Sequence, residues 1–568
     1  MKTRLSAVVL LVASSSWAQN PKLHSDLAGV SPNEVVRVIV QYRHHPGPFQ
    51  KERTLALRGR VHYELDLINA HAISLNAGDL ETLAADPEVQ SIALDHPLYT
   101  SLDTAAAAVN ASAAWNANQI GSGIGVAVID SGVSNHPDLS GRVVYSQDFT
   151  TDNQTADLFG HGTHVAGIIA GSGHSSTGSG STKTFKGMAP GVNIINLKAL
   201  NTQGVGSDST VIAAIQQAVK LKGKYNIRVI NLSLGRPVSS SYKSDPLCQA
   251  VESAWKAGIV VVVSAGNFGR VNNNGVDGYG TITAPGNDPY VITVGAMKTM
   301  GTPSRSDDLI ATYSSKGPTL YDHIVKPDIV APGNQIRSLE SPDKTGTSLA
   351  LTYPGTQFTC AYYMTNCGLG NSQNYYILNG TSMAAPVVSG AAAILIGKSP
   401  SLTPDQVKAR LMKTAYKSFP ASSTITTDGV TYTDYYDMFT VGAGYLDVQA
   451  ALANSDIVGG NALSPSVSHN STTDTGALVF PSGSTFQSST FGSAVIWGTG
   501  QVNGTAVIWG TSGTFANNSI WGSSGTSAFA VIWGTGTAGP VNSTAVIWGT
   551  NLQAGAVNPL ISVLTKGE

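Results

Sequence analysis

The chain has 568 residues, only 12% of which are Asp, Glu, Lys or Arg, and its formal net charge is −2. An average soluble domain carries roughly 25% charged residues. A nucleic-acid-binding protein would need a basic surface, which this charge balance argues against. With 42% hydrophobic residues, the bulk of the chain is too apolar for disorder. We therefore expect about three or four folded domains, no nucleic-acid partner and no transmembrane helix in the mature protein.

The first 18 residues have the pattern of a secretory signal peptide. The basic residues Lys2 and Arg4 precede an apolar stretch at 5–13 that is too short to span a bilayer, and small residues follow at 16–18. This pattern predicts cleavage after Ala18 and a secreted protein. The alternative is that the stretch forms a buried N-terminal strand.

Strands and helices alternate over the next segment, residues 19–104. Strands are expected at 35–42, 72–75 and 89–94, and helices at 50–69 and 76–86. This order predicts a small open-faced α+β domain. The run of small residues from Ala105 to Ala114 is expected to form an exposed linker.

From about residue 120 the pattern changes to apolar strands separated by helices. Strands are predicted at 125–129, 193–197, 229–232, 259–263 and 291–294, and helices at 208–222 and 245–257. Continuously apolar strands of this kind indicate a parallel sheet that is covered on both faces. Active sites of such sheets lie at the carboxyl ends of the strands, so polar motifs that follow strands are the candidates for chemistry.

Two motifs contain an acid and an imidazole. Asp130 directly follows a predicted strand, where it could orient an imidazole or simply form a turn. His161 lies between Gly160 and Gly162, and these glycines would let the backbone approach another segment closely. The pair of His161 and His164 lacks the spacing and the Glu of a zinc motif, which argues against a metal pair. The flanking glycines favour a catalytic imidazole, and a structural histidine is the alternative.

A third motif places Ser382 just before or at the start of a helix predicted over 387–396, with Pro386 in its first turn. Free backbone N–H groups and the helix dipole favour developing negative charge at such a position. The plain alternative is an N-cap serine. The surrounding G-x-S-x-A sequence lacks the second glycine of a nucleophile elbow, which argues against an α/β-hydrolase esterase.

The three motifs occur in the order Asp, His, Ser, which is the order found in subtilisin and not in chymotrypsin or the α/β-hydrolases. On these motifs, residues 120–450 resemble the catalytic domain of the subtilisin-like serine peptidases. The resemblance implies a three-layer α/β/α sandwich around a mostly parallel sheet. It also implies a serine endopeptidase that hydrolyses peptide bonds in proteins through an acyl-enzyme.

By that resemblance, Ser382 is the nucleophile, His161 the general base and Asp130 the residue that orients His161. A serine hydroxyl is a weak nucleophile at neutral pH, so an imidazole must take its proton during attack. The segment 262–267 matches the family segment that ends in the oxyanion-hole asparagine. This match assigns Asn267 as one oxyanion donor and the Ser382 backbone N–H as the second, with a plain turn residue as the alternative for Asn267.

Substrate contacts follow from the same resemblance. The segment 231–235 resembles the family strand that pairs with an extended substrate, so Ser233, Leu234 and Gly235 are expected to line the cleft. Main-chain pairing tolerates many side chains, and broad specificity is therefore expected. The uncharged segment 282–286 favours a medium-sized apolar or aromatic residue before the cleaved bond.

Residues 19–104 resemble the family's inhibitory propeptide, which assists folding and then leaves its C-terminus in the cleft. The catalytic domain is predicted to occupy 105–455, with processing between Tyr99 and Ala108. The protein would therefore be autoprocessed from a prepro form, with its own propeptide as an intramolecular inhibitor.

No cofactor is required for the chemistry that the resemblance implies, and metal binding stays open. Asp138 resembles a residue that ligates calcium in other members of the family. The segment 171–185, however, does not match the calcium-binding loop that many members carry. Calcium takes about six to eight oxygen ligands, so one carboxylate does not make a site.

Three cysteines fit an exported protein that does not depend on a disulfide framework. Two of them, Cys360 and Cys367, lie in an apparent insertion at 338–376 and are close enough to pair, which would leave Cys248 single. The sequence alone leaves this pairing open.

Residues 456–568 form a Gly/Ser/Thr-rich tail with no charged residue between Thr475 and Thr565. The phrase A-V-I-W-G-T occurs four times and a weaker copy once, with tryptophans at 497, 509, 521, 533 and 548. This spacing indicates a repeat, in which each unit forms a short strand, buries its Trp and ends in a Gly-Thr turn. The alternative is a flexible tail with incidental aromatic residues.

The tail also carries the alternative function. The protein could be a surface or adhesion protein whose Trp-Gly repeats contact a cell surface or a glycan, with the peptidase domain serving mainly self-processing. The enzyme interpretation is favoured because no position of the Asp-His-Ser triad is altered.

Overall fold

The computed structural model describes residues 20–23, 27, 30–94, 101–270, 278–344, 346–368, 370–427, 429–470, 475–486, 490, 507–509, 519–521, 530–532, 545–547 and 558–567. The predicted signal peptide at 1–18 lies outside these residues. The chain divides into two compact units, Met1–Leu98 and Tyr99–Glu568.

The first unit is an α+β domain on a four-stranded antiparallel sheet. Its elements are β1 Val35–Tyr42, α1 Pro48–Ala56, β2 Arg60–Leu65, β3 Ala70–Asn76, α2 Leu80–Ala84 and β4 Val89–Leu94. The strands lie in the order β2-β3-β1-β4. Buried and more exposed residues alternate along the first half of β1, and Val38, Ile73 and Ile92 lie in the apolar core of the unit.

The helix predicted over 50–69 is wrong in its second half. Helix α1 ends at Ala56, after which Arg58 takes a left-handed conformation with a φ of 55°. The next residue, Gly59, passes so close to β3 that a Cβ would lie 2.9 Å from the Ser74 carbonyl oxygen. The chain then pairs with β3 as β2, because strand pairing outweighs the helix-friendly charge pattern of this segment.

The second unit contains the remaining elements. In chain order they are α3 Ser101–Ala108, α4 Ala111–Asn116, β5 Gly125–Asp130, β6 Val143–Asp148, α5 His161–Ala170, β7 Asn193–Lys198, α6 Asp208–Tyr225, β8 Ile227–Leu232, α7 Pro246–Lys256, β9 Val260–Ser264, β10 Ile292–Lys298, β11 Leu309–Ile310, β12 Ile329–Pro332, β13 Ile336–Leu339, α8 Leu349–Thr352, β14 Tyr375–Leu378, α9 Thr381–Lys398, α10 Pro404–Thr414, β15 Ser422–Thr427, β16 Val430–Tyr435, α11 Val448–Ala453, β17 Ser466–Asn470, β18 Thr475–Val479, β19 Val507–Trp509, β20 Ser519–Trp521, β21 Ala530–Ile532, β22 Ala545–Ile547 and α12 Asn558–Lys566.

The main sheet has the strand order β11-β10-β9-β8-β5-β7-β6, with β12 also beside β10. All of its pairs are parallel except β10 with β11. Every residue of β5 and β9 is buried, so both faces of the sheet are covered. Two helix pairs, α5 with α9 and α6 with α7, contribute to this cover. The prediction of an α/β fold with a mainly parallel sheet is confirmed.

Helix α9 forms the centre of the apolar core. It packs against α5 and against strands β8, β9 and β10. By length and composition it could cross a membrane, but most of it is buried inside the unit, as in a core helix. Its residues from Thr381 to Ile396 are all buried, which fixes the position of its N-terminal end at the sheet.

The prediction that Ala105–Ala114 forms an exposed linker is wrong. It contributes to helices α3 and α4, and Ala108, Val109, Ala111 and Ala114 are fully buried in the main core. Small side chains allow these short helices to lie close to their neighbours. A run of alanines therefore marks close packing here, although its composition resembles that of a linker.

Packing continues beyond residue 455, where the catalytic domain is predicted to end. Ser464 donates to the Asp328 carboxylate, which also pairs with Lys326 at 2.7 Å and with Lys408 at 3.2 Å. All four side chains are buried. Burial opposes ionisation of Asp328, but the two ammonium groups outweigh it and lower the pKa of that carboxyl. Residue 464 is thus tied to the main core by a satisfied ionic cluster, while the boundary at 455 stays a prediction.

Cys360 and Cys367 form a disulfide, and Cys248 is free and buried. The disulfide lies in the segment predicted as an insertion. This segment ends in β14, which pairs with β13 and so returns the chain to the main body before α9.

Short strands are described at four of the five Trp-Gly phrases. Strand β19 pairs in parallel with β20, and Trp509 is the partner of Trp521. Strand β21 pairs in the same way with β22, and Ile532 is the partner of Ile547. Equivalent residues of successive phrases thus face each other. The phrase at 494–499 lies outside the described residues, and the repeat architecture of the whole tail stays a prediction.

The buried helices α3 and α4 predict different effects for two neighbouring substitutions. Ala114→Asp should destabilise the protein by about 3 kcal/mol or more, because it places an unpaired carboxylate in the apolar core. Ser112→Asp, at an exposed position of the same helix, should change stability by no more than about 0.5 kcal/mol. Urea unfolding followed by fluorescence measures both. Equal stability of the two variants would contradict burial of this segment.

Candidate active site

Asp130 and His161 are brought together where α5 begins beside the end of β5. The His161 Nδ1 lies 2.8 Å from the Asp130 Oδ1, and both side chains are buried. Gly162 makes this approach possible, because a Cβ at that position would lie 2.1 Å from the Gly132 carbonyl oxygen. The glycine after His161 is therefore required by the distance between helix and strand.

The surroundings of His161 favour its protonated form. Burial lowers the pKa of His161, but the charge of Asp130, the hydrogen bond to it and the charge of Asp157 outweigh burial, so the pKa lies above its ordinary value. The same hydrogen bond requires a proton on Nδ1, which leaves the other ring nitrogen, Nε2, to accept a proton when the ring is neutral.

Asp157 holds the N-terminal end of α5. Its Oδ1 accepts the Gly160 N–H at 2.8 Å, and its Oδ2 accepts the Thr163 N–H at 2.7 Å. The Ser131 hydroxyl also donates to Asp157, at 2.8 Å, and accepts the Gly162 N–H at 3.0 Å. These bonds connect the residue after Asp130 with the first turn of the helix that carries His161. They satisfy backbone donors that a helix N-terminus leaves free.

His164, the second histidine of the motif, has a structural role. It is fully buried, stacks edge-on against Tyr376 and has its Nε2 3.1 Å from the Ile336 carbonyl oxygen. Burial lowers the pKa of His164 to about 3, so the ring stays neutral.

Ser382 is the second residue of α9, at the helix start that its motif predicts. The helix is longer than the predicted 387–396, since it begins at Thr381, and Pro386 therefore lies inside it and not in its first turn. Its backbone carbonyl accepts the Ser233 hydroxyl at 2.7 Å, and its own hydroxyl donates to the Ser233 carbonyl at 3.3 Å. Asn231 supports this contact, since its Nδ2 donates to the Ser233 hydroxyl and its Oδ1 accepts from Ser389. Two turns of α9 are thereby tied to the end of β8.

Asn267 lies beside the same helix end. Its Oδ1 accepts both the backbone N–H and the hydroxyl of Thr381 at 2.9 Å. The Nδ2 group is therefore the donor that this side chain can offer. Gly380 allows this approach, because a Cβ there would lie 3.0 Å from the Asn267 Nδ2, and its φ of 134° also favours glycine.

A cleft of about 520 Å³ brings most of the candidate residues together. Its lining includes His161, Ser382 and Asn267, together with the predicted substrate-binding residues Ser233, Leu234 and Gly235. Asp130 lies behind His161 and is not part of the lining.

The lining of the cleft is mainly apolar and includes one residue of an ion-pair cluster. Apolar side chains of Phe159, Leu200, Val211 and Leu247 line it. Arg236, also in the lining, pairs with Asp208 and Asp245, each at 2.8 Å. The guanidinium is engaged by two carboxylates. The hydrogen bond to Asp208 is the main cause that raises the pKa of Arg236, and Asp245 raises it further.

Asp138, which resembles a calcium ligand, does not fit that role. It is fully buried, and its oxygens accept the Ser175 N–H at 2.7 Å and the Tyr375 hydroxyl at 2.6 Å. Hydrogen-bond donors therefore surround the carboxylate where calcium would need further oxygen ligands. Within the described ranges, no group of three or more His, Cys, Asp and Glu side chains could hold a metal ion.

The chain is similar in sequence to known serine proteases. The family model described as the Subtilase family matches residues 121–444. The chain is 36% identical over 372 residues to the serine protease AprX of Bacillus subtilis (strain 168), covering 63% of this chain and 76% of that protein. It is 32% identical over 397 residues to subtilisin E of the same organism, covering 69% of this chain and 83% of that protein.

The chain belongs to the subtilase family. This subtilase is accordingly a serine endopeptidase, an enzyme that hydrolyses peptide bonds in proteins. Subtilases need no cofactor for catalysis. An alkaline protease of Alkalihalobacillus alcalophilus is 33% identical to it over 356 residues, covering 62% of this chain and 76% of that protein.

Sequence reasoning missed several polar residues of this subtilase. Asp157 and Ser131 were not singled out, although an Asp four residues before His161 has the composition of a helix cap. Thr381, which holds the Asn267 amide, carries no such signal. Its role depends on where two distant segments meet. The lining of the cleft also includes Leu564 near the C-terminus, which no sequence pattern places there.

The contacts of Asp157 predict a measurable change at His161. Asp157→Asn should lower the pKa of His161, because it removes one of the negative charges that raise it. The helix end should also weaken, since an amide Nδ2 cannot accept the Thr163 N–H. An NMR titration of the His161 ring measures the shift.

Asp148→Asn serves as the control. The Asp148 carboxylate accepts the Thr150 and Gln154 N–H groups, and its replacement should leave the pKa of His161 unchanged. Equal titration of all three proteins would contradict the assigned influence of Asp157.

Proposed function

We propose that this protein is a secreted serine endopeptidase that acts through Ser382, His161 and Asp130. The observation that carries the proposal is the buried 2.8 Å contact between His161 and Asp130 at the wall of a cleft that Ser382 also lines. The pairing of an oriented imidazole with a serine at a helix N-terminus supports acyl transfer.

In the first step, the Ser382 hydroxyl attacks the carbonyl carbon of the substrate while the His161 Nε2 takes its proton. The hydroxyl, which here donates to the Ser233 carbonyl, must turn towards the imidazole when substrate binds. The C–N bond then breaks as His161 gives the same proton to the leaving amine, which leaves an acyl-enzyme. Water, with its proton taken by His161, releases the acid product and restores Ser382. Asp130 accepts the hydrogen bond from Nδ1 and so holds the imidazolium that forms in each step.

The negative oxygen of each tetrahedral intermediate needs donors that are already in position. The Asn267 Nδ2 and the Ser382 backbone N–H are the proposed pair. Thr381 supports this role of Asn267, because its two hydrogen bonds to Oδ1 fix the orientation of the amide and point Nδ2 away from Thr381. The Ser382 N–H lies in the first turn of α9, where the helix dipole favours an anion.

Substrate is proposed to add as a strand along Ser233, Leu234 and Gly235. This segment is held at both ends, by Ser233 bonding to Ser382 and by Arg236 pairing with Ala284. A fixed segment between two tethers offers its backbone to an extended peptide. The preference for an apolar or aromatic residue before the cleaved bond rests on the uncharged segment 282–286, of which Thr283 lines the cleft.

The other segments of the chain are proposed to serve the folding, export and attachment of the enzyme. The unit at 1–98 has its own apolar core, which supports its role as a folding aid and inhibitory propeptide. Helix α3 begins at Ser101, so we place the processed bond in the part of the range 99–108 that precedes it. The signal peptide would direct export, and the tail at 456–568 would contact a cell surface or a glycan.

Replacing the nucleophile tests the proposal directly. Ser382→Ala should lower kcat on an unfolded protein substrate by about 10⁶-fold, because no other group supplies the attacking oxygen. It should also abolish release of the propeptide, as seen on a gel. Ser140→Ala, at an exposed serine, should leave both unchanged. Equal cleavage by the wild type and Ser382→Ala would refute the assignment. So would the absence of cleavage in both together with normal processing.

Replacing the proposed oxyanion donor should have a smaller, specific effect. Asn267→Ala should lower kcat by about 10²- to 10³-fold with little change in KM, the magnitude known for the corresponding change in subtilisin. The reason is that the donor acts on charge that develops only in the transition state. Steady-state kinetics separate kcat from KM, and thermal unfolding checks that the loss of the Thr381 contact has not unfolded the site. A change in KM alone would contradict this role.

A further inference from the structure

The C-terminal helix α12 lies at the proposed active site. It contacts β14, the strand that leads into the Ser382 helix. Leu564 of α12 lines the same cleft as His161 and Ser382. Its neighbour Val563 is buried in the main apolar core of the unit. The end of the chain thus reaches the cleft, even though it follows the whole repeat tail in sequence.

Specific hydrogen bonds hold α12 in this position. The Leu564 carbonyl accepts the Asn379 backbone N–H at 3.0 Å and the Asn379 Nδ2 at 3.2 Å. The Asn379 side chain is itself oriented, because its Oδ1 accepts the Gln335 N–H at 2.7 Å. Asn379 lies only three residues before Ser382. The helix therefore occupies polar groups next to the nucleophile.

Gly567 completes the fit. A Cβ at this position would lie 2.3 Å from the Asn379 Oδ1 and 2.8 Å from the Asn334 Oδ1, and the φ of 63° also favours glycine. Lys566, in contrast, is exposed. The surface formed by Asn334, Gln335 and Asn379 thus matches the backbone of this chain end closely enough to exclude even one added methyl group.

We propose that Asn334, Gln335 and Asn379 form a docking site for the chain's own C-terminal segment, Asn558–Gly567. The docked segment reduces access of protein substrates to the cleft, because Leu564 lies in the lining of that cleft. This inference rests on the proposed function of the cleft. The occupant is the segment Asn558–Gly567 of this chain, since the contacts are made by the Leu564 carbonyl and by Gly567.

Kinetics of the full mature enzyme and three variants test the proposal. The variants are a truncation that lacks 558–568, Gly567→Ala, which should displace α12, and Lys566→Ala as the matched control. The first two should raise kcat/KM for an unfolded protein substrate by about 5-fold or more, and Lys566→Ala should not. A synthetic peptide of residues 558–568 should inhibit the truncated enzyme competitively, whereas the same peptide carrying Gly567→Ala should not.

A fluorophosphonate that titrates the reactive serine separates the two levels of the proposal. If all four proteins react equally and have equal kcat/KM for each titrated serine, the docking segment does not limit access and this inference is overturned, while the proposed function stands. If none reacts, the proposed function fails and this inference with it. Hydrogen exchange, measured on the unprocessed Ser382→Ala chain because that variant cannot cleave itself, should show faster exchange of the Asn379 amide after truncation. Unchanged exchange would also overturn the docking.

Discussion

The site depends on one close approach, between the first turn of α5 and the end of β5. A glycine at 162 lets the helix backbone lie against the Gly132 carbonyl oxygen. Only at this separation can the His161 ring meet the Asp130 carboxylate at 2.8 Å inside the protein. A side chain at 162 would move the helix outward, and the imidazole would lose both its orientation and the charge that favours its protonated form. The close packing of the two backbone segments therefore determines whether the His161–Asp130 contact can form.

The same helix end raises an electrostatic problem that the surrounding residues solve. A helix N-terminus carries partial positive charge, which disfavours an imidazolium ion at that position. His161, as the first residue of α5, must nevertheless accept a proton during the proposed reaction. Asp130 and Asp157 supply negative charge on the side of the strand and of the helix cap, respectively. The N-terminus of α9 needs no such correction, because the charge proposed to develop near Ser382 is negative.

Much of this arrangement could be predicted from sequence, and the failures have physical reasons. The five strands predicted for the parallel sheet correspond to β5, β7, β8, β9 and β10, because buried parallel strands are continuously apolar. The helix expected at 50–69 and the linker expected at 105–114 failed because tertiary pairing and close packing decided those segments. Thr381 and Leu564 could not be foreseen, since their roles arise only where distant parts of the chain meet.

The in-register pairing of the Trp-Gly strands has a consequence for how the chain could vary. Because equivalent residues of neighbouring units pair, as Trp509 does with Trp521, a unit can be gained or lost without changing the type of contact between the others. Each such change alters the length of the linker that joins α12 to the rest of the chain. The effective concentration of a tethered group depends on the length of its tether. The number of Trp-Gly units would then change the fraction of time that α12 is docked at the cleft. Duplication of one short unit would change this fraction without altering any residue of the site.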